Sequence, residues 1–252
     1  MKATRLFVAA ALGAFALAPH VALADPSTTT IGITLNPIVG GVHESFNDIV
    51  HLPPVPLPLF EVSHKTGPFE LTAFGLPPTI AVPYTDAIQG STALRLTILD
   101  ATLRVWTPGG RFAIGAGETV YNQTTHYATA DDFAPGGGER QYSRVVGGHY
   151  EIATRLPFRH GTIEANLRYA PVLLGTQVST YDDGTPSRFD PERGKQIDGG
   201  VRYLRPAGAH GEFVVGVRYL NYTAAYDVPD LPLSDRNAAV LPNVGYLWKF
   251  GR

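Results

Sequence analysis

His149 and Glu151 stand two residues apart, and in an extended chain residues at that spacing share a face. An imidazole beside a carboxylate is half of a general acid–base pair, although a buried hydrogen-bond network uses the same two groups. A second set is His126 with Asp131, Asp132, Asp182 and Asp183. Such residues could polarise a water or hold a divalent cation through oxygen ligands, or simply be solvated acidic loops. Nothing in the sequence approaches zinc-ligand spacing, and Gly136-Gly137-Gly138 follows no strand-to-helix transition that would make it a phosphate loop. Asn122-Gln123-Thr124 and Asn221-Tyr222-Thr223 match glycosylation acceptors and are discounted below on cellular context. No catalytic residue, cofactor or metal site is assigned from these residues.

The composition limits what could position such groups. With no cysteine there is no disulfide framework and no thiolate chemistry, and 27 Gly plus 21 Pro, about 19 % of 252 residues, is rich for a helical protein. Charged residues at 17 %, a net charge of -2 and aromatics at 10 % exclude a disordered chain and a basic nucleic-acid binder. Lys2 and Arg5 precede an uncharged apolar run from Leu6 to Leu17, and Ala22-Leu23-Ala24 is a small-x-small site before Asp25. Residues 1–24 therefore read as a secretory signal peptide, too short in its apolar run for a spanning helix, with residues 25–252 as the mature domain.

Within the mature chain no helical period is sustained, and a period of two is. From Gly161 to Pro171, Ile163, Ala165, Leu167, Tyr169 and Pro171 fall on one face and Thr162, Glu164, Asn166 and Arg168 on the other. Just before, Val146, Tyr150, Ile152 and Leu156 alternate with His149, Glu151, Ala153 and Arg155. Similar runs flank short turns at 65–67, 107–110 and 206–210, and single runs at Thr28 to Val39 and Ala238 to Phe250 close the ends, making ten candidate strands. The stretches 40–56, 76–90, 127–143, 176–194 and 225–237 read as long loops rich in Pro, Gly and Asp. Short and long connections alternate, which in an up-and-down sheet puts all short turns at one end.

Period alone does not say which face is inside. Strands of 11 to 16 residues exceed the usual ~5–6 of globular proteins and match the ~9–11 of a membrane strand. The polar face carries six acids, Glu61, Glu70, Glu151, Glu164, Asp198 and Glu212, and six bases, Arg104, Arg155, Arg168, Arg202, Arg218 and Lys249. Together with His149 these read as a polar network in a narrow lumen, where opposite charges satisfy one another. Tyr150, Tyr169, Tyr203, Phe213, Tyr219, Tyr246, Trp248 and Phe250 share the apolar face, as an interfacial aromatic girdle would.

The chain end, with Val244, Tyr246, Trp248 and Phe250 alternating with Gly245, Leu247 and Lys249, resembles the aromatic-terminated last strand of bacterial outer-membrane β-barrel proteins, except that Gly251 and Arg252 follow Phe250. The resemblance extends over the mature chain as a pattern and identifies no subfamily. It implies a transmembrane up-and-down antiparallel β-barrel of ten strands, or eight if residues 57–75 fold over the loops. It also implies the outer membrane as location, its lipid bilayer as partner, and assembly machinery that reads Tyr246, Trp248 and Phe250. A bacterial source removes the glycosylation reading.

The expected role is a structural, surface-contact or small-pore barrel with no nucleic-acid partner. Two alternatives stand. One is a barrel hydrolase, an omptin-like protease or a lipid A-modifying enzyme, using rim residues, although no omptin motif is recognisable. The other is a soluble periplasmic barrel with an apolar ligand inside.

Two irregularities are expected. The apolar phase runs Leu94, Leu96, Ile98 and then Leu99, Ala101, Leu103, Val105, which a β-bulge near Ile98 and Leu99 would produce. In the next strand Phe112, Ile114, Ala116 and Val120 form the apolar face and leave Glu118 pointing at lipid, unless Gly115 and Gly117 permit a compensating irregularity.

Overall fold

A computed structural model describes residues 27–37, 39–44, 47–51, 56–76, 81–86, 90–127, 139–181, 186–189, 191–226 and 233–251. The predicted leader, Asp131, Asp132, Asp182, Asp183 and Gly136 to Gly138 lie outside these residues.

Ten strands form the wall: β1 Ser27–Pro37, β2 Pro56–Thr66, β3 Phe69–Gly75, β4 Gly90–Trp106, β5 Phe112–Tyr127, β6 Glu139–Phe158, β7 Gly161–Ala170, β8 Pro191–Pro206, β9 Gly211–Tyr226 and β10 Leu233–Gly251. Each pairs antiparallel with its sequence neighbours, and β1 pairs with β10, so the sheet closes on itself. Closure satisfies both edges of every wall strand, the condition for a sheet surrounded by hydrocarbon. The 57–75 segment supplies β2 and β3 of this wall, so the barrel has ten strands rather than eight.

The short turns behave as read. Positive φ falls at Gly67 (55°), at Gly109 (88°) and Gly110 (66°), at Arg159 (53°) and at Gly208 (78°), one position or pair per hairpin. Glycine takes the left-handed region without the Cβ clash, and only Arg159 bears a side chain there.

The long connections differ from expectation. Much of what read as loop is more strand: β6 begins at Glu139, β10 at Leu233 and β4 at Gly90. Three further segments continue wall strands toward the loop end. Val39–Glu44 extends β1 along β10 in unbroken register, Ala81–Asp86 extends β3 along β4, and Leu173–Tyr181 extends β7 along β6. Asn47–His51 and Pro186–Phe189 fold back on two of these extensions. Pro and Gly content marked these stretches as loops because it marks where strands are interrupted, not how much strand lies between.

The bulge expected near Ile98 and Leu99 is not there: β4 and β5 pair without a shift from Thr92↔Tyr127 to Trp106↔Ala113. Ile98 is buried inside the barrel and Leu99 is exposed outside, each on the face its parity dictates. Ile98, one of the apolar residues that mimicked a phase slip, belongs to an apolar layer of the interior. A one-residue bulge lies instead at the end of β7, where the step from Tyr169 to Leu173 runs opposite the shorter step from Tyr150 to Gly147. Pro171, which lacks an N–H, sits in this interval. The extra residue turns Leu173 inward, where it is buried, and Val172 and Leu174 outward, where they are exposed.

The interior is stratified. Near the turn end Trp106, Ala113 and Ala153 form one apolar group and Leu204, Val214 and Leu247 another. Charged residues fill the middle. Toward the loop end Leu57, Leu59, Phe74, Leu76, Ile98, Tyr121, Val145, Ala170, Leu173 and Leu241 form a single buried apolar cluster.

Candidate functional site

Most of the predicted polar residues converge on the middle layer because each occupies an inward position of its strand. Starting at β2, carboxylates and guanidiniums alternate. Arg202 donates from Nη1 to Glu61 (2.5 Å) and from Nε to Glu164 (2.7 Å). Arg155 donates from Nε to the other oxygen of Glu164 and from Nη2 to Glu70 (2.8 Å). Arg104 bridges Glu70 (3.4 Å) and Glu151 (2.6 Å). Arg168 bridges the second Glu151 oxygen (2.6 Å) and Asp100 (3.3 Å). Five carboxylates and four arginines thus form one continuous chain across residues from six strands. Each internal member has two opposite partners, the arrangement in which attraction offsets the cost of taking charge out of water.

Beyond the chain, Trp106 Nε1 donates to Glu70 (2.8 Å) while the Arg155 guanidinium lies 4.4 Å from the Trp106 ring centre. Glu212 and Lys249 meet at 2.7 Å near the turn end, separate from the rest. Asp198 accepts from Gln196 Nε2. Arg218 lies with its guanidinium carbon 3.9 Å from the Phe74 ring centre, and its Nη1 has no hydrogen-bond partner among the described residues.

His149 belongs to a compact cluster rather than to an acid–base pair with Glu151. Its Nε2 is 2.9 Å from Thr102 Oγ1 and its Nδ1 3.2 Å from Thr119 Oγ1. Both hydroxyls donate to Asp100, at 3.1 Å and 2.6 Å. A Cβ at Gly117 would come within 2.8 Å of His149 Nε2, so the glycine makes room for the imidazole rather than for a bulge. The side chains of His149 and Asp100 are fully buried, with no open face for a substrate.

Asp100, Thr102, Thr119, Trp106 and Gln196 were not among the residues singled out from sequence. Asp100, Thr102 and Arg104 do alternate with Leu99, Ala101, Leu103 and Val105, which is the signal that could have found the first two. His126 lies in β5, opposite Ala93 and Arg140.

The interior therefore offers satisfied ion pairs and packed apolar layers. A cavity of about 70 Å³ remains in the charged layer, lined by Arg104, Glu164, Arg168, Arg202 and Arg218 among others. That is room for a few waters. Among the described residues no group of three or more His, Cys, Asp or Glu side chains could hold a metal ion.

The outer face is apolar. Ile114 is 70 % exposed, Tyr150 65 % and Ile152 60 %. An apolar exterior around a charged interior is the reverse of a soluble barrel, and it overturns the reading of a periplasmic carrier with an apolar ligand inside. Phe213, Tyr246 and Trp248 stack edge to face on the outside near the turn end, at 5.3 and 4.8 Å between ring centres, and Phe250 is exposed beside them. At the other limit Thr97, Asn122 and Arg144 form a polar outer row in register, with Tyr142 Oη 3.4 Å from Asn122 Oδ1. From Phe112 to Asn122, at about 3.3 Å per residue and a tilt of about 40°, the apolar band is ~25 Å high, the height outer-membrane barrels present to lipid.

No protein-family model matches this chain, and no curated protein matches it. Among solved structures it is similar to the outer membrane protease OmpT from Escherichia coli, with a TM-score of 0.63 at 9 % identity over 88 % of this chain and 97 % of that one. It also matches the translocator domain of the autotransporter NalP from Neisseria meningitidis, TM-score 0.42 at 12 % identity over 97 % of this chain and 96 % of that one. A third match is the outer membrane protein OprG from Pseudomonas aeruginosa, TM-score 0.32 at 11 % identity over 90 % of this chain and 96 % of that one. At 9 % identity the first likeness speaks to fold and not to activity.

Proposed function

From its fold, that of a ten-stranded outer-membrane β-barrel, we propose that the chain works as a closed pedestal in the outer membrane rather than as a channel. Its upper walls are then the contact surface. The observation that supports this is the filled interior: a continuous carboxylate–guanidinium chain capped by an apolar cluster on the loop side. Ion passage would have to desolvate through that apolar layer and then break paired charges.

The walls also rise beyond the polar outer row. β5 continues past Asn122 to Tyr127, and β6 begins at Glu139, before Arg144. With the hairpins at Asn47–His51 and Pro186–Phe189, this gives a β-rich extension above the bilayer. In this reading residues 1–24 export the chain, the short turns face the periplasm, and Tyr246, Trp248 and Phe250 serve assembly and then anchor the lower interface. The bilayer is the permanent partner.

The test is solute uptake by liposomes carrying the refolded barrel. Swelling in small sugars should match that of empty liposomes, and a rate that rises with protein content would replace the pedestal with a pore. Parallel assays on peptide and lipid A substrates should show no turnover. Activity lost on alanine substitution at Asp132, Asp182 or His126 would establish a rim hydrolase instead.

A further inference from the structure

Glu118 faces outward, as its place in β5 predicted, and the uninterrupted register on both sides of β5 offers it no escape. It is half-buried against neighbouring side chains, with no hydrogen bond or ion pair among the described residues. In register its neighbours are Ala101 on β4 and Gly148 on β6. A Cβ at Gly148 would meet no atom within 4 Å, so open space lies beside the carboxylate.

This carboxylate borders a broad hollow in the outer wall. The hollow runs from Ile31 on β1 to Ile152 on β6, opens to the outside, and has a volume of about 1350 Å³. Ala73, Gly75, Ala101 and Ala116 contribute its small residues, and Leu99 and Tyr150 are among its bulky ones. Among its outward-facing lining side chains Glu118 alone is charged. By the geometry used for the apolar band, Glu118 lies about 10 Å below the polar row at Asn122.

An unpaired carboxylate inside hydrocarbon is costly and calls for a partner. Acyl chains would fill the apolar hollow and leave the charge unmet. A second copy docking the same face by two-fold symmetry would bring the two Glu118 carboxylates toward each other. A zwitterionic lipid would have to draw its phosphate about 10 Å into hydrocarbon to bring its amine to Glu118. What matches both features is a long apolar body with one cationic group and no anion.

We propose that this hollow binds a membrane-dissolved amphiphilic amine, its ammonium paired with Glu118 and its apolar body lying over Ala73, Ala101 and Ala116. The site rests on the membrane reading of the outer face and does not depend on whether the interior conducts.

The test is native mass spectrometry of the detergent-solubilised barrel titrated with dodecylamine, dodecanol and dodecanoate. Dodecylamine should bind at least tenfold more tightly than dodecanol, and dodecanoate should not bind. Glu118→Gln should bring the amine and the alcohol to within about twofold, and Ala101→Leu with Ala116→Leu should weaken both. Heat-modifiable gel mobility confirms that each variant is folded; Glu118→Gln removes a charge from the lipid face and should fold at least as well as the parent. Equal binding of amine and alcohol to the parent, or a preference that survives Glu118→Gln, overturns the proposal. Equal competition by phosphatidylethanolamine overturns the choice of ligand.

Discussion

Two layers of one interior fill the same barrel by opposite means. In the middle, nine charged side chains from Glu61 to Asp100 are held by directional bonds, each fixed to partners on other strands. Above them Leu59, Ile98, Leu173 and Leu241 are aliphatic side chains that can be held only by packing. The difference teaches what each layer can lose. Removing one member of the charged chain leaves its partners' charges unpaired where few waters reach, whereas removing a leucine leaves a hole that neighbours partly fill. The charged layer should therefore be brittle and the apolar layer graded.

The largest expected effect is at Glu151, the one carboxylate joining Arg104 to Arg168. Glu151→Ala should destabilise the barrel by about 3–5 kcal/mol, read from urea unfolding in lipid vesicles. A loss no greater than that of a leucine truncation would erase the distinction between the layers. Next is Leu173→Ala in the apolar cluster, expected to cost roughly 3 kcal/mol in the same assay. Because Leu173 is turned inward by the bulge at Pro171, a cost near zero would also place the bulge wrongly.

Thr119→Val keeps the shape of the side chain and removes the hydroxyl shared by Asp100 and His149. It should cost about 1–2 kcal/mol. Lys249→Ala breaks only the pair with Glu212, where the lysine is 43 % exposed. Its cost should stay under about 1 kcal/mol and fade as salt is raised, in contrast to Glu151→Ala, whose buried pairs are poorly screened.

The same contrast explains what could be read in the sequence. Where the interior is charged, alternation of two chemistries fixed the strand and which residues share a face, and strand length with balanced charge then chose which face is inside. Glu164, Asn166 and Arg168 against Ile163, Ala165 and Leu167 divide the strand into two faces in one way. Where the interior is apolar, both faces are oily and parity loses its signal. Ile98 inside and Leu99 outside looked like a slip in β4, while a one-residue slip that is present passed unnoticed in Val172, Leu173 and Leu174. Asp100 was overlooked beside that supposed slip, although it anchors one end of the charged chain and holds the His149 cluster. The extent of the upper walls was hidden for another reason: Pro and Gly interrupt strands there without ending them. Glu118 was legible because a single carboxylate breaks an otherwise apolar face.

Planar-bilayer current recording on the refolded barrel tests the closed interior most directly. Wild type, Glu151→Ala and Leu173→Ala should each show no stable current steps, since one intact layer is enough to block ions, and the combined variant should conduct. Reproducible steps from the wild-type barrel, with amplitudes that scale with salt concentration, would contradict a closed interior.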